Sequence, residues 1–214
     1  YSFSTTGTTT ADITARTLTV NYSGVNKVYD RTIGATVTTT DDRVDGDELA
    51  INRTAAFGDW NAGNGKTVNV SGVSLDGADA GNYTVAATGA TTANIAPKAL
   101  TVSGVTADNK VYDGTATATL SGAIEFGGII TGDTVTTDTG AMTVNFNDKN
   151  VGTAKPVSLG GIVLGGADAG NYTVPTASGL TANITPLAVT LSGITASNKV
   201  YDGTTDATVS VAGA

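Results

Sequence analysis

Asn26-Lys27-Val28-Tyr29-Asp30 recurs as Asn109-Lys110-Val111-Tyr112-Asp113 and again as Asn198-Lys199-Val200-Tyr201-Asp202, at spacings of 83 and 89 residues. Further markers keep a fixed order between the copies. Gly46-Asp47-Glu48-Leu49 matches Gly132-Asp133-Thr134-Val135. Gly77-Ala78-Asp79-Ala80-Gly81-Asn82-Tyr83 matches Gly166-Ala167-Asp168-Ala169-Gly170-Asn171-Tyr172. Ala93-Asn94-Ile95-Ala96-Pro97 matches Ala182-Asn183-Ile184-Thr185-Pro186. Independent anchors in one order identify tandem repeats. Their period is far longer than the roughly 20–30 residues of a β-solenoid rung.

Complete units fall at 18–97 and 98–187. Tyr1–Val20 aligns with Tyr83–Val102, setting Gly7 on Gly89, Ile13 on Ile95 and Leu18 on Leu100. Residues 1–17 therefore read as the closing strands of a preceding repeat, and 188–214 as the opening of a following one, a window on a longer chain. Leu100–Ser103, Leu187–Leu191, Lys66–Ser71 and Thr117–Leu120 have the two-residue alternation of half-buried strands. Turn-prone pairs such as Asp113-Gly114, Gly127-Gly128 and Gly165-Gly166 separate the strands. The expected fold is all-β: tandem small antiparallel β-sandwich (Ig-like) repeats, arranged as an elongated rod. Each repeat is expected to fold largely on its own and to join its neighbour through a short linker such as Ile95-Ala96-Pro97-Lys98, which the proline stiffens. Tyr29, Tyr83, Tyr112 and Tyr172 are the natural core or corner residues.

Composition supports strands and excludes several functions. The 214 residues include 40 threonines, 12 serines and 28 glycines, types that favour pleated surfaces and turns. A net charge of −8 argues against nucleic acid or an anionic membrane surface as partner. Without histidine or cysteine there is no usual zinc site, thiol catalyst, serine–histidine pair or disulfide. No apolar run approaches the roughly 20 residues that span a bilayer, so no membrane insertion is expected in this segment.

Lys110-Val111-Tyr112-Asp113-Gly114-Thr115, Gly132-Asp133, Lys149-Asn150-Val151-Gly152 and Ala169-Gly170-Asn171-Tyr172-Thr173 together resemble the YDG-type repeats of large bacterial exoproteins. Those repeats sit beside related MBG repeats, often in filamentous-haemagglutinin-like adhesins. The resemblance covers essentially the whole chain. It implies a protein at the bacterial cell surface or outside the cell, which spaces an adhesive tip or builds an extracellular biofilm matrix. The first repeat departs from the pattern. Arg31 stands where Gly114 and Gly203 do, and Asp59-Trp60-Asn61-Ala62-Gly63 replaces Asp148-Lys149-Asn150-Val151-Gly152.

No catalytic or cofactor-binding set emerges. The marker pairs Tyr29-Asp30, Tyr112-Asp113 and Tyr201-Asp202 read as strands ending in tight turns. Asn82-Tyr83 and Asn171-Tyr172, with Asp79 and Asp168, read as Asx-type turns. The acidic run holding Asp41, Asp42, Asp45 and Asp47 is the candidate calcium site, although a solvated loop explains it more simply because the second repeat lacks most of those acids. Lys110 and Asn183 are the candidate partners of an intramolecular isopeptide bond. Trp60, unique to the first repeat, is the candidate contact for a sugar or a neighbouring chain. Six Asn-x-Ser/Thr sequons occur, at positions 21, 52, 69, 82, 171 and 183. The expected function is a non-catalytic adhesin stalk whose partners are its own neighbouring repeats. The rivals are a filament or matrix subunit in which other copies pair by strand addition, and a carbohydrate-binding module for host or matrix glycans.

Overall fold

The computed structural model describes residues 1, 7–174 and 177–211. β1 (Arg16–Thr17) precedes the first repeat, which contributes β2 (Val20–Val25), β3 (Lys27–Val28) and β4 (Thr36–Asp41). It continues with β5 (Ala50–Phe57), β6 (Gly63–Asp76), β7 (Tyr83–Thr84) and β8 (Thr88–Ala96). The second repeat contributes β9 (Lys98–Ala99), β10 (Thr101–Ala107), β11 (Lys110–Val111), β12 (Leu120–Gly127) and β13 (Thr136–Asp138). After these come β14 (Thr143–Phe146), β15 (Gly152–Gly160), β16 (Val163–Gly165), β17 (Tyr172–Thr173) and β18 (Ala177–Thr185). β19 (Ile194–Ala196) and β20 (Val209–Val211) form a last hairpin. No α-helix occurs among the described residues; single 3-10 turns at Ala80–Asn82 and Ala169–Asn171 are the only helical pieces there. The chain is all-β, as its composition predicts.

Each repeat builds a curled four-stranded sheet, ordered β3-β8-β6-β5 in the first and β11-β18-β15-β14 in the second. Its long strands are antiparallel, but its edge strand is parallel, with Lys27 against Ile95 and Lys110 against Ile184. Two further parallel pairs join β1 to β7 and β9 to β17. The purely antiparallel expectation is corrected here. Each parallel pair is two residues long and ends on a backbone hydrogen bond donated by the next residue: Leu18 to Thr84, Tyr29 to Ala96, Leu100 to Thr173 and Tyr112 to Thr185. A strand this short leaves no periodicity in a sequence.

The chain packs as two compact units, and their boundaries are offset from the sequence period. The first holds residues 1–104, 124–142 and 161–176; the second holds 105–123, 143–160 and 177–214. The first core buries Tyr29, Val37, Phe57, Val68, Val70, Val73, Ala93 and Ile95 of repeat one together with Leu100 and Tyr172 of repeat two. The second core buries Ala118, Phe146, Val157, Ala182 and Ile184, with Tyr112 packed against it and half-buried. The division passes through a break in a hairpin. In repeat one β5 and β6 run continuously past a bulge near Arg53. In repeat two the same ribbon separates into β13–β16 and β14–β15, where Thr139–Met142 turns and Gly161 takes a φ of +71° over the Ala141 carbonyl.

Several local expectations change with this packing. Ile95 to Lys98 is not a linker: Ile95 is 1% exposed and Lys98 pairs with Tyr172. Thr117–Leu120 is an isolated bridge at Thr117 followed by the start of β12. Leu187–Leu191 forms no strand, and its three large apolar side chains are exposed. Its counterparts Leu18 and Leu100 are buried beside β7 and β17. Of the closing-strand fragment 1–17, residues 2–6 lie outside the described residues and only Arg16–Thr17 forms a strand among the rest.

Candidate functional site

The repeated Asn-Lys-Val-Tyr-Asp segment is built around its lysine. Lys110 Nζ donates to Asp113 Oδ1 at 2.8 Å, the Thr115 carbonyl at 2.9 Å, Thr115 Oγ1 at 3.0 Å and the Thr117 carbonyl at 2.9 Å. It also sits 5.8 Å from the Phe146 ring centroid. Lys27 makes the same set with Asp30, Thr32, Gly34 and Phe57. Lys199 repeats the contacts to Asp202 and Thr204, although Tyr201 is 92% exposed. The ammonium and the hydrogen bonds from Thr115 hold the Asp113 carboxyl down at about 2. An ammonium holding four oxygen acceptors is not a poised nucleophile. Asn183, its proposed isopeptide partner, instead accepts from Ala154 N at 2.8 Å, while its own N–H donates to Asn109 Oδ1.

The second marker forms a preassembled head. In repeat two the Tyr172 hydroxyl donates to Asp133 Oδ2 at 2.5 Å and accepts from Ile130 N at 2.9 Å. Thr134 N donates to Asp168 Oδ2 at 2.8 Å, and Asp168 N returns a bond to the Thr134 carbonyl. Repeat one makes the same set from Tyr83, Asp47, Val44, Glu48 and Asp79. Gly77 and Gly166 stand so close to the Glu48 and Thr134 carbonyls that no Cβ fits, and both hold positive φ.

On the head of repeat two sits the Val-Tyr-Asp corner of repeat one, inside the first compact unit. The Tyr29 hydroxyl donates to Asp133 Oδ2 at 2.9 Å, and the Tyr29 and Tyr172 rings meet edge to face at 5.5 Å. Arg31 forms an ion pair with Asp133 Oδ1 at 3.0 Å and donates from Nη1 to the Thr131 carbonyl at 2.7 Å. The Asp133 carboxylate is fully buried beneath these three groups. Arg31 holds a φ of +62°, a left-handed conformation that disfavours any side chain and that Gly114 and Gly203 share at the same turn position. Beside this contact Asn171, 5% exposed, accepts from Ala62 N at 2.8 Å and donates to Asn61 Oδ1 at 3.3 Å. Burial pushes the Tyr29 hydroxyl up to about 12, aided by its hydrogen bond to Asp133 and by that carboxylate's negative charge. Tyr172 is raised for the same reasons.

The remaining candidates separate. Asp41 chelates Arg43 at 2.7 and 2.6 Å, Asp42 accepts from Thr19 N and pairs with Arg16, and Asp47 holds Tyr83. The four carboxylates Asp41, Asp42, Asp45 and Asp47 do not converge, and no cluster of three or more acids suited to a metal occurs among the described residues. Trp60 is 45% exposed in the bend just before Asn61. What sequence reasoning missed is the pairing of Tyr29 with Asp133, 104 residues apart. The available signal was the Gly-Asp pair kept in both repeats.

No curated protein and no solved structure matches the chain. The family model of the YDG domain matches it twice, over residues 14–92 and 96–179. Each match contains one Lys-Val-Tyr corner and one Gly-Asp…Asn-Tyr head, and the two copies meet at Tyr29, Asp133 and Tyr172: this chain belongs to the YDG domain family.

Proposed function

We propose that this chain is a non-catalytic structural region of a secreted or surface-anchored bacterial adhesin, where it acts as a stalk. In this reading the repeats are small sandwich-like modules that stack as a rod and hold an adhesive part of the protein away from the cell. The observation that carries the reading is the shared core of repeats one and two. A buried carboxylate gripped by Tyr29, Tyr172 and Arg31 fixes the corner of one repeat on the head of the next. Flexibly tethered beads have no use for such a contact; a spacer that must keep its length does. The test is electron microscopy of the isolated chain at low concentration. Elongated particles of one length support the stalk, and compact globules of variable outline overturn it.

A further inference from the structure

Repeat one carries a cation that the fold leaves uncompensated. Among the described residues, eight of the eleven lysines and arginines pair with a carboxylate, and Arg53 is one of the three that do not. It stands at the bulge of β5, where the register against β6 shifts between Asn52 and Thr54. On one side of that point the Gly34–Ala56 bridge and the bond from Ala35 N to the Ala55 carbonyl join β5 to the segment leading into β4. On the other side the strands part, and Arg53 spans the gap. Its Nη2 donates to the Val37 carbonyl of β4 at 2.7 Å and its Nη1 to the Ile51 carbonyl at 3.0 Å. Nε is buried without a partner, so three of the five N–H groups of the guanidinium remain unused among the described residues.

The guanidinium lines a cleft of about 360 Å³ together with Thr36, Asn52 and the apolar side chains of Val37, Ile51 and Ala55. That volume lies within the range of small-ligand sites, about 300–1,000 Å³. The contact between consecutive repeats runs elsewhere. Where repeat one sits on the head of repeat two, it holds Thr131, Asp133, Asn171 and Tyr172 by polar contacts and packs on Ile130, Val135 and Leu164. The counterparts in repeat one are Asp45, Asp47, Asn82 and Tyr83, then Val44, Leu49 and Leu75, and none of them lines the cleft. Nor do Tyr29, Arg31 and Ala62, which make the contact from the other side. Repeat two has no equivalent cation: Thr139 stands where Arg53 does, in the turn that breaks the ribbon.

We infer that the cleft between β4 and β5 of repeat one binds the carboxylate of an acidic sugar, with Arg53 as its anchoring cation. A guanidinium with unused N–H groups matches a planar carboxylate, and such charge-assisted bonds are roughly twice as strong as neutral ones. The rest of the lining suits the rest of a hexuronate ring. Thr36 and Asn52, both exposed, offer a hydroxyl and an amide to the ring hydroxyls, and Val37, Ile51 and Ala55 offer an apolar wall to its C–H face. An isolated acidic side chain of a peptide leaves Thr36 and Asn52 without a role. In a chain of net charge −8, one unpaired guanidinium gives binding confined to this cleft rather than a general attraction for polyanions. The inference does not depend on the stalk reading, since a spacer keeps its length whether or not its flank holds a glycan.

Proton–nitrogen NMR of the intact chain tests this, following the Arg53 Nε–H signal and the amides of Thr36 and Asn52 as sodium glucuronate is added to about 50 mM. The expected result is a saturable shift of these signals with a Kd of about 1–10 mM, and none with glucose at the same concentrations. Arg53→Gln is expected to weaken binding about tenfold or more. Asn52→Ala, at an exposed position that leaves the guanidinium and its strand contacts in place, is expected to weaken it severalfold. Oligogalacturonate and 3′-sialyllactose are titrated in the same way, and the tighter binder tells a matrix polysaccharide from a host glycan as the source. Absence of any shift at Arg53 with glucuronate overturns the proposal. So does binding that survives Arg53→Gln, or acetate binding as tightly as glucuronate, which makes the cleft a simple anion site.

Discussion

Asp133 is where the residue scale meets the architecture. It is a buried anion whose Oδ2 accepts from two tyrosine hydroxyls and whose Oδ1 is ion-paired to the Arg31 guanidinium without a hydrogen bond of its own, and removing it strands all three. Asp133→Ala is expected to destabilise the first unit by about 2–4 kcal/mol, the usual range for breaking a buried charged network. Asp47→Ala, which loses a single tyrosine partner on an open head, is expected to lose about 1.5 kcal/mol or less. Urea unfolding of both variants checks the difference, and equal losses would mean that the corner of repeat one adds nothing. The same site sets an alkaline limit. Tyr29 ionises near 10 when unfolded and at about 12 when folded, so the fold favours its neutral form. That stabilisation is complete below pH 10 and is lost as pH rises toward 12. Spectroscopic titration is expected to show a tyrosine class ionising late and together with unfolding, and Tyr29→Phe should remove part of that alkaline sensitivity.

At the scale of elements, the asparagines of the markers form a relay that fixes the bulge opening each long strand. Asn94 N donates to Asn26 Oδ1, and Gly65 N donates to Asn94 Oδ1 at 2.7 Å. Repeat two does the same through Asn109 and Asn183 to Ala154 N. The relay imposes a positive φ on the bulge residue, which Gly65 accepts at +60° and Ala154 holds under strain at +48°. Ala154→Gly is expected to stabilise the second unit and Gly65→Ala to destabilise the first, each by about 1 kcal/mol in thermal unfolding. Much of this level was legible in the sequence: β6 and β10 follow the alternation of Lys66–Ser71 and Leu100–Ser103, and the turn at Gly166 needs its glycine. The parallel bridges were not, because a two-residue strand such as Lys27–Val28 carries no periodicity and its partner lies some seventy residues away. Leu187–Leu191 shows the converse. Its residues alternate yet form no strand, so alternation alone does not make one.

At the scale of the molecule, the repeat visible in the sequence and the unit that packs are out of phase. The period fixes which residues recur, but residue types alone do not say whether Tyr29 meets the Asp of its own repeat or that of the next. The structure joins it to the next. Ending the chain at Pro97, the sequence boundary, is therefore expected to uncover Tyr29 and to remove Leu100 and Tyr172 from the first core. That fragment should melt well below the first transition of the intact chain. The central claim, that consecutive repeats share one core through a specific polar grip, is tested most directly by a double-mutant cycle between Tyr29→Phe and Asp133→Ala in urea unfolding. The account predicts a coupling energy of about 1 kcal/mol or more between these positions, while Tyr112→Phe and Asp133→Ala add independently. Strict additivity of Tyr29→Phe and Asp133→Ala would contradict it.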